Sequence, residues 1–204
     1  MIFASCKKVT NYTISDSMKQ YFEYQTGSYW IYKNDSTGLI DSTYIRSSSH
    51  TYGNKYSTGI TEESIAIKFK STFLAMSYVS YIACDGPNYY TVTGIMDPTQ
   101  ADYEANGVVA FCPNWPPNTK IIPGCSTYGT FLYKTKTADT IDNVPYKNVI
   151  YSEFKSTDTS STNTFLYIRK IYFAKNIGII KYYEFYPYFK INRSFTMVRY
   201  KAIQ

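Results

Sequence analysis

The sequence lacks any apolar run close to the roughly 18 to 20 residues that a membrane-spanning helix requires. A length of 204 residues and a composition without a marked shift predict one domain around one hydrophobic core. The sequence also lacks blocks of like charge, because its 21 basic and 15 acidic residues are scattered along the chain. Nucleic-acid-binding segments usually concentrate their lysines and arginines. The sequence therefore predicts no nucleic-acid partner.

Groups for nucleophilic catalysis are also scarce. His50 is the only histidine, and no G-x-S-x-G turn marks a serine nucleophile. His50 lies in the polar stretch 47–59, which we expect to be a surface loop. A pair of carboxylates for sugar cleavage stays open as an alternative. The acids that could converge for it are Asp85, Asp97, Glu104, Asp142 and Glu153. We nevertheless predict that the protein is not an enzyme.

Cysteine is rare, and its spacing excludes the common zinc motifs. The four cysteines form no C-x-x-C pair, so we predict neither a metal nor another cofactor. Cys112 and Cys125 bracket a segment with four prolines, which stiffens the loop and brings its ends together at reduced entropic cost. We predict a disulfide between them, which would contribute about 3 kcal/mol. Cys84 is then expected to be a small buried side chain.

Aromatic residues are abundant, with 24 tyrosines and 12 phenylalanines, and this composition favours strands. In the segment 61–70, Ile65, Ile67 and Phe69 occupy every second position, as in a strand with one buried face. Similar segments recur to the end of the chain. A sheet of about ten strands rarely stays open and flat. The sequence therefore predicts an all-β fold, with a large curved antiparallel sheet that forms a half-open barrel or a sandwich.

Turn signals separate these strands. The segment 34–38, "NDSTG", ends in a glycine suited to positive φ and predicts a hairpin. In the segment 174–178, "AKNIG", Asn176 and Gly178 tolerate a tight reversal. One short helix is predicted near 97–106, because Asp97, Pro98, Gln100 and Gly107 supply a cap, a first turn and a stop.

The residues before Cys6 resemble a signal for lipid attachment. Phe3, Ala4 and Ser5 precede Cys6, and this order resembles the lipobox of bacterial lipoproteins, in which a diacylglyceryl group is attached to the cysteine. The resemblance implies a protein anchored to a membrane of the cell envelope through Cys6. The alternative is a cytosolic start with an incidental cysteine. The polar stretch 7–20 shows no repeating apolar face and is expected to be a flexible tether. We therefore divide the chain into a signal and tether, 1–20, and a single monomeric β domain, 21–204.

Two motifs resemble a group of envelope lipoproteins from Bacteroidota-type bacteria. The first is "G-x-x-W-x-Y", with Gly27, Trp30 and Tyr32. The second is a hairpin whose matching residues are Tyr172, Ala174, Ile177, Gly178, Ile179, Ile180 and Lys181. The segment 145–150, "PYKNVI", is similar to the strand that precedes this hairpin. The resemblance implies a curved antiparallel sheet, similar to lipoprotein carriers whose half-open barrel holds an acyl chain, and it supplies no catalytic residues.

Binding is the favoured class of function. The inner faces of a curled sheet would surround an apolar space that accepts an acyl chain or another apolar molecule. The candidate lining residues are Ile65, Ile67, Phe69, Tyr167, Phe173 and Ile179. The alternative is a fully packed core without a cavity.

Two further binding roles stay open. Trp115 lies in the proline-rich loop and could stack on a sugar ring, unless it packs beneath the loop. A third role is structural: an envelope module that binds protein through its sheet edge or its aromatic patches.

Overall fold

Strands make up most of the fold. The computed structural model describes residues 10–55, 60–71, 77–84, 90–93, 108–111, 120–121, 129–158, 165–187 and 190–204. The first half holds β1 (Thr10–Tyr12), α1 (Asp16–Phe22), β2 (Tyr29–Asn34), β3 (Ile40–Lys55), β4 (Ile60–Ser71), β5 (Ser77–Cys84), β6 (Tyr90–Thr93) and β7 (Val108–Phe111). The second half holds β8 (Lys120–Ile121), β9 (Gly129–Ile141), β10 (Val144–Asp158), β11 (Phe165–Ala174), β12 (Gly178–Tyr186) and β13 (Ile191–Lys201). Among these residues no helix is long and apolar enough to cross a membrane.

The strands form one sheet of two meandering arms. One arm runs from β2 to β7 and the other from β13 back to β8, and each strand pairs with its neighbour in sequence. The antiparallel pair of β2 and β13 joins the arms, so residues from the two ends of the chain lie side by side. Among the described strands only β1 pairs in parallel, with β4. The antiparallel meander confirms the fold class predicted from the alternating pattern.

The sheet is curled into a half-barrel. Its path begins at β7 and ends at β8, yet β7 approaches β9, with Cα atoms within 8 Å. Curling of this kind is the usual outcome for a sheet with many twisted strands. Of the two forms that the sequence allowed, the half-barrel is the one adopted.

The N-terminal segment differs from the prediction. Residues 10–20 were expected to belong to a tether, but β1 pairs with β4 and α1 packs on the sheet. Ile14 and Phe22 are buried in the core, at 2% and 5% exposure. The tether prediction is wrong for this segment because a seven-residue helix is too short to show an apolar period, and it depends on the sheet for its stability. The helix predicted near 97–106 lies outside the described residues.

The polar stretch 47–59 is also not a loop where it is described. β3 extends to Lys55 and pairs with β4 along its length. Most residues of 47–55 are polar, with four serines and threonines among the nine, and residues 46–53 are exposed. A strand without apolar side chains lacks the pattern from which strands are recognised, and here the pairing with β4 supplies the order.

Both predicted turns are confirmed. Gly38 has a φ of +73°, and its N–H donates to the carbonyl of Asn34 at 2.8 Å. Asn176 and Gly178 have φ values of +62° and +99° between β11 and β12. A third hairpin, which the sequence reading missed, joins β9 to β10 through Asp142 and Asn143, both with positive φ. Two such residues are typical of a type I′ turn.

Candidate functional site

The inner face of the half-barrel is the face on which α1 packs. The Phe22 ring meets the Phe173 ring edge-on at 5.0 Å. Tyr24, just after the helix, meets Trp30 in the same way at 5.1 Å. The Tyr21 hydroxyl donates to the carbonyl of Asn148. These contacts place α1 at the end of the sheet where β2 and β10 begin and β11 ends.

Three of the predicted lining residues are buried at this end. Ile65, Ile67 and Phe173 are exposed by only 1%, 1% and 4% and belong to one core cluster. Ile179 is half-buried and packs against that cluster. These four side chains therefore belong to or pack against an apolar cluster, and in this conformation they are occupied by packing.

The other predicted site residues fall outside what the structure describes. Phe69 lies on β4 and Tyr167 on β11, and for these two residues the backbone alone is described. The lipidation candidate Cys6, the disulfide candidates Cys112 and Cys125, and Trp115 lie outside the described residues, so these remain predictions. The same holds for Asp85, Asp97 and Glu104, so the paired carboxylates are not tested. Of the remaining two acids, Asp142 lies near Lys181 and Glu153 accepts a hydrogen bond from Tyr151.

A buried carboxylate ties the N-terminal segment to the inner face. Glu63 is fully buried, at 0% exposure, and lies two residues before Ile65 on β4. Lys19 Nζ of α1 lies 2.7 Å from Glu63 Oε1. The backbone N–H of Ile14 donates to Glu63 Oε2 at 2.6 Å. One side chain of the sheet therefore holds both the helix and the segment before it.

The third partner of Glu63 is His50, which corrects the expectation of an isolated loop histidine. His50 Nε2 lies 2.5 Å from Glu63 Oε1. In the β3–β4 register His50 is opposite Ile65, two positions from the pair of Tyr52 and Glu63, so His50 and Glu63 share a face. Its Nδ1 faces Glu23 Oε1 at 3.9 Å. Both ring nitrogens face carboxylates, so neither is directed at a nucleophile in this arrangement. The geometry is that of a structural bridge.

The charges in this cluster stabilise one another. Burial by itself would raise the pKa of Glu63, but hydrogen bonds from Lys19, Ile14 N–H and His50 outweigh it and hold the pKa below its ordinary value of 4.5. The hydrogen bond to Glu63 raises the pKa of Lys19 above 10.5. Both groups are therefore charged at neutral pH. Within the described part of the chain no cluster of histidine, cysteine and acidic residues could hold a metal ion.

The two sequence motifs meet at the same end of the sheet. The Trp30 Nε1–H donates to the carbonyl of Ile177 at 2.5 Å, and the Tyr32 hydroxyl donates to that of Ile179 at 2.9 Å. A Cβ on Gly178 would lie 3.1 Å from Trp30 Nε1, at a φ that side chains rarely adopt. The motifs therefore encode packing of the β11–β12 turn against β2, which explains why they indicate a fold and no chemistry.

Sequence reasoning missed the Glu63 cluster, although a signal was present. Glu63 is in phase with Ile65 and Ile67, so the same alternation that buries the isoleucines also buries the carboxylate. A charged residue at an inner-face position requires partners. The sequence could not identify those partners, because Lys19 and His50 are distant along the chain.

Comparisons with known proteins found similarity to solved structures alone. No protein-family model matches the chain, and no curated protein matches it. A crystal structure described as an exported protein with a YmcC-like fold, from Bacteroides fragilis, is similar at a TM-score of 0.41 and 11% identity, over 87% of this chain and 97% of that one. A structure described as a lipoprotein from Parabacteroides distasonis is similar at a TM-score of 0.39 and 9% identity, over 89% and 98%.

Proposed function

We propose that the protein is a non-catalytic binding protein of the cell envelope, anchored by a lipid on Cys6, that takes an acyl chain or another apolar ligand on its inner face. The observation that carries this proposal is the apolar end of the half-barrel, where Ile65, Ile67 and Phe173 lie in the same core cluster as Phe22 of α1. A surface of this kind is suited to the methylene groups of an acyl chain, each worth about 0.8 kcal/mol when buried.

The short helix α1 provides the access route in this proposal. A helix of seven residues has little stability of its own, so it stays in place only through its contacts with the sheet. Those contacts combine ring packing through Phe22 with the polar tie from Lys19 to Glu63. When the helix moves away, the apolar side chains beneath it become available to a ligand. The observed affinity then falls in proportion to the small fraction of molecules that are open.

A titration with a fluorescently labelled fatty acid tests this proposal. The wild-type protein is expected to bind the probe saturably. Lys19→Met breaks the tie to Glu63, raises the open fraction and is expected to tighten binding by about fivefold. The matched control is Lys33→Met, at an exposed position of β2, which should bind as the wild type does. Absence of saturable binding to both wild type and Lys19→Met, or equal affinity in all three proteins, would overturn the acyl-chain site.

The anchor is tested separately. Expression behind a bacterial lipoprotein signal sequence in cells fed with labelled palmitate is expected to label the wild-type protein and leave Cys6→Ser unlabelled. Equal labelling of the two would remove the anchor from the proposal and leave the binding site standing.

A further inference from the structure

One face of the sheet is strongly basic across β2 and β9 to β13. Directly opposed residues of antiparallel strands share a face, and successive residues of one strand alternate between faces except at β-bulges. Bulges shift the β11–β12 register next to Phe173 and the β13–β2 register next to Val198. One row crosses six strands from β9 to β2, through Lys134, Tyr151, Tyr172, Lys181, Thr196 and Lys33. At about 4.8 Å between strands the row is about 24 Å long. We call the face that contains this row the outer face, since it is opposite the one that carries Phe173.

Lysines that are scattered in the sequence gather on this face. By register, the described residues of β2 and β9 to β13 place nine basic side chains there together with one carboxylate, Glu153. The basic residues are Lys33, Lys134, Lys136, Lys147, Lys155, Lys170, Lys181, Arg199 and Lys201. Three carboxylates lie near two of them: Asp35 and Asp142, in neighbouring turns, lie near Lys181, and Asp139 of β9 pairs with Lys136. The face keeps a clear positive excess.

Tyrosine rings position these cations. Lys170 Nζ lies 5.6 Å from the centre of the Tyr183 ring, and the Arg199 guanidinium lies at the same distance from the Tyr29 ring. The rings of Tyr151 and Tyr172, 4.8 Å apart, lie in the row between Lys134 and Lys181. A cation over an aromatic face is attracted by the ring and loses part of its rotational freedom before any partner arrives.

We infer that the outer face binds an acidic polysaccharide, a linear chain of sugars that carry carboxylate or sulfate groups. Charge complementarity supports this assignment: a row of cations about 24 Å long can contact several anions of one polymer, and binding gains from the counterions that are released. The inference uses the opposite side of the sheet from the acyl-chain site and does not depend on that proposal.

Two other polyanions fit the geometry less well. The outside of a curled sheet is convex, so a flat anionic bilayer would touch it along a narrow line, whereas a polymer can follow the curve. Single-stranded nucleic acid gains much of its affinity from bases stacked on open aromatic faces. In this structure Lys170 and Arg199 already lie over the rings of Tyr183 and Tyr29.

The test is a calorimetric titration with polygalacturonate, with its fully methyl-esterified and therefore uncharged form as the ligand control. Lys33→Gln combined with Lys134→Gln removes two charges from the two ends of the row. Lys175→Gln combined with Lys190→Gln removes two charges from the turns after β11 and β12 and is the matched protein control. The wild type and the turn variant are expected to bind polygalacturonate alike. The row variant should bind about 5- to 30-fold more weakly, with a shallower dependence on salt.

Each other outcome contradicts the inference. No binding of polygalacturonate, equal binding of the esterified form, or equal loss in the two double variants would mean that the row is not a specific site. Single-stranded DNA and phosphatidylglycerol vesicles are titrated in parallel. If either binds the row as tightly as polygalacturonate does, the assignment to a polysaccharide is wrong. Circular dichroism of both variants confirms that the losses do not arise from unfolding.

Discussion

The two faces of the sheet carry ionisable residues in opposite ways. On the inner face Glu63 is fully buried and has three partners, one of them the ammonium group of Lys19. On the outer face Glu153 is half-buried and accepts a hydrogen bond from Tyr151, among nine basic residues. A buried charge must be compensated by specific partners, whereas an exposed one is solvated. The inner charge therefore serves the fold, and in our proposal the outer basic residues bind a partner molecule.

The largest expected effect is a difference in stability between variants of the two carboxylates, Glu63 and Glu153. Glu63→Ala leaves the Lys19 ammonium and the Ile14 N–H without their acceptor and should lower the free energy of unfolding by about 3–5 kcal/mol. Glu153→Ala, on the outer face, should lower it by less than about 1 kcal/mol. Urea denaturation monitored by circular dichroism measures both. Similar losses for the two variants would erase the distinction between the faces.

Acidification should remove part of the stability that the Glu63→Ala substitution removes. The folded-state pKa of Glu63 lies below its ordinary value of 4.5, so its contribution to stability is complete above about pH 4.5 and is lost as the pH falls through the folded-state pKa. The free energy of unfolding of the wild type should therefore fall more steeply between pH 5 and pH 3 than that of Glu63→Gln. Glu153→Gln leaves Glu63 intact and should keep the steep decline; a wild-type slope in Glu63→Gln would be inconsistent with this account.

A smaller effect is expected at the turn beneath Trp30. Gly178→Ala places a Cβ 3.1 Å from Trp30 Nε1 at a φ of +99°, and should cost about 1–3 kcal/mol. At Gly53, on β3, an added Cβ would meet no atom within 4 Å and φ is not positive, so Gly53→Ala should change stability by no more than about 0.5 kcal/mol. Thermal unfolding of the two variants makes the comparison. Equal midpoints would show that the turn relaxes without cost.

The smallest expected difference in stability is between variants of two tyrosines, Tyr32 and Tyr183. Tyr32→Phe removes the hydrogen bond to the carbonyl of Ile179 and should cost about 0.5–1.5 kcal/mol. Tyr183→Phe, on the outer face, keeps the ring beneath Lys170 and should be nearly neutral. Urea titrations of both variants give the difference. A greater loss in Tyr183→Phe would indicate that the outer hydroxyl contributes more than the inner one.

Much of the inner face could be predicted from the sequence, but the helix that packs on it could not. Ile65 and Ile67 were placed on a buried face because alternation is a local pattern. The packing of α1 above them was not predicted, since a helix of two turns shows too few residues for a period. His50 was misplaced because a strand of serines and threonines resembles a loop until its partner strand is known.

What the sequence determined by itself is the high strand content, the positions of the turns at Gly38 and Gly178, and the shared face of the alternating residues in strands such as β4, because all of these depend on neighbours in the chain. The tertiary structure alone decided which strands lie side by side. Register between distant strands gathered the scattered lysines into one row and brought Lys19 and His50 to Glu63. The physical reason is that pairing and charge compensation act across space, between residues whose separation along the chain carries no information about their contact.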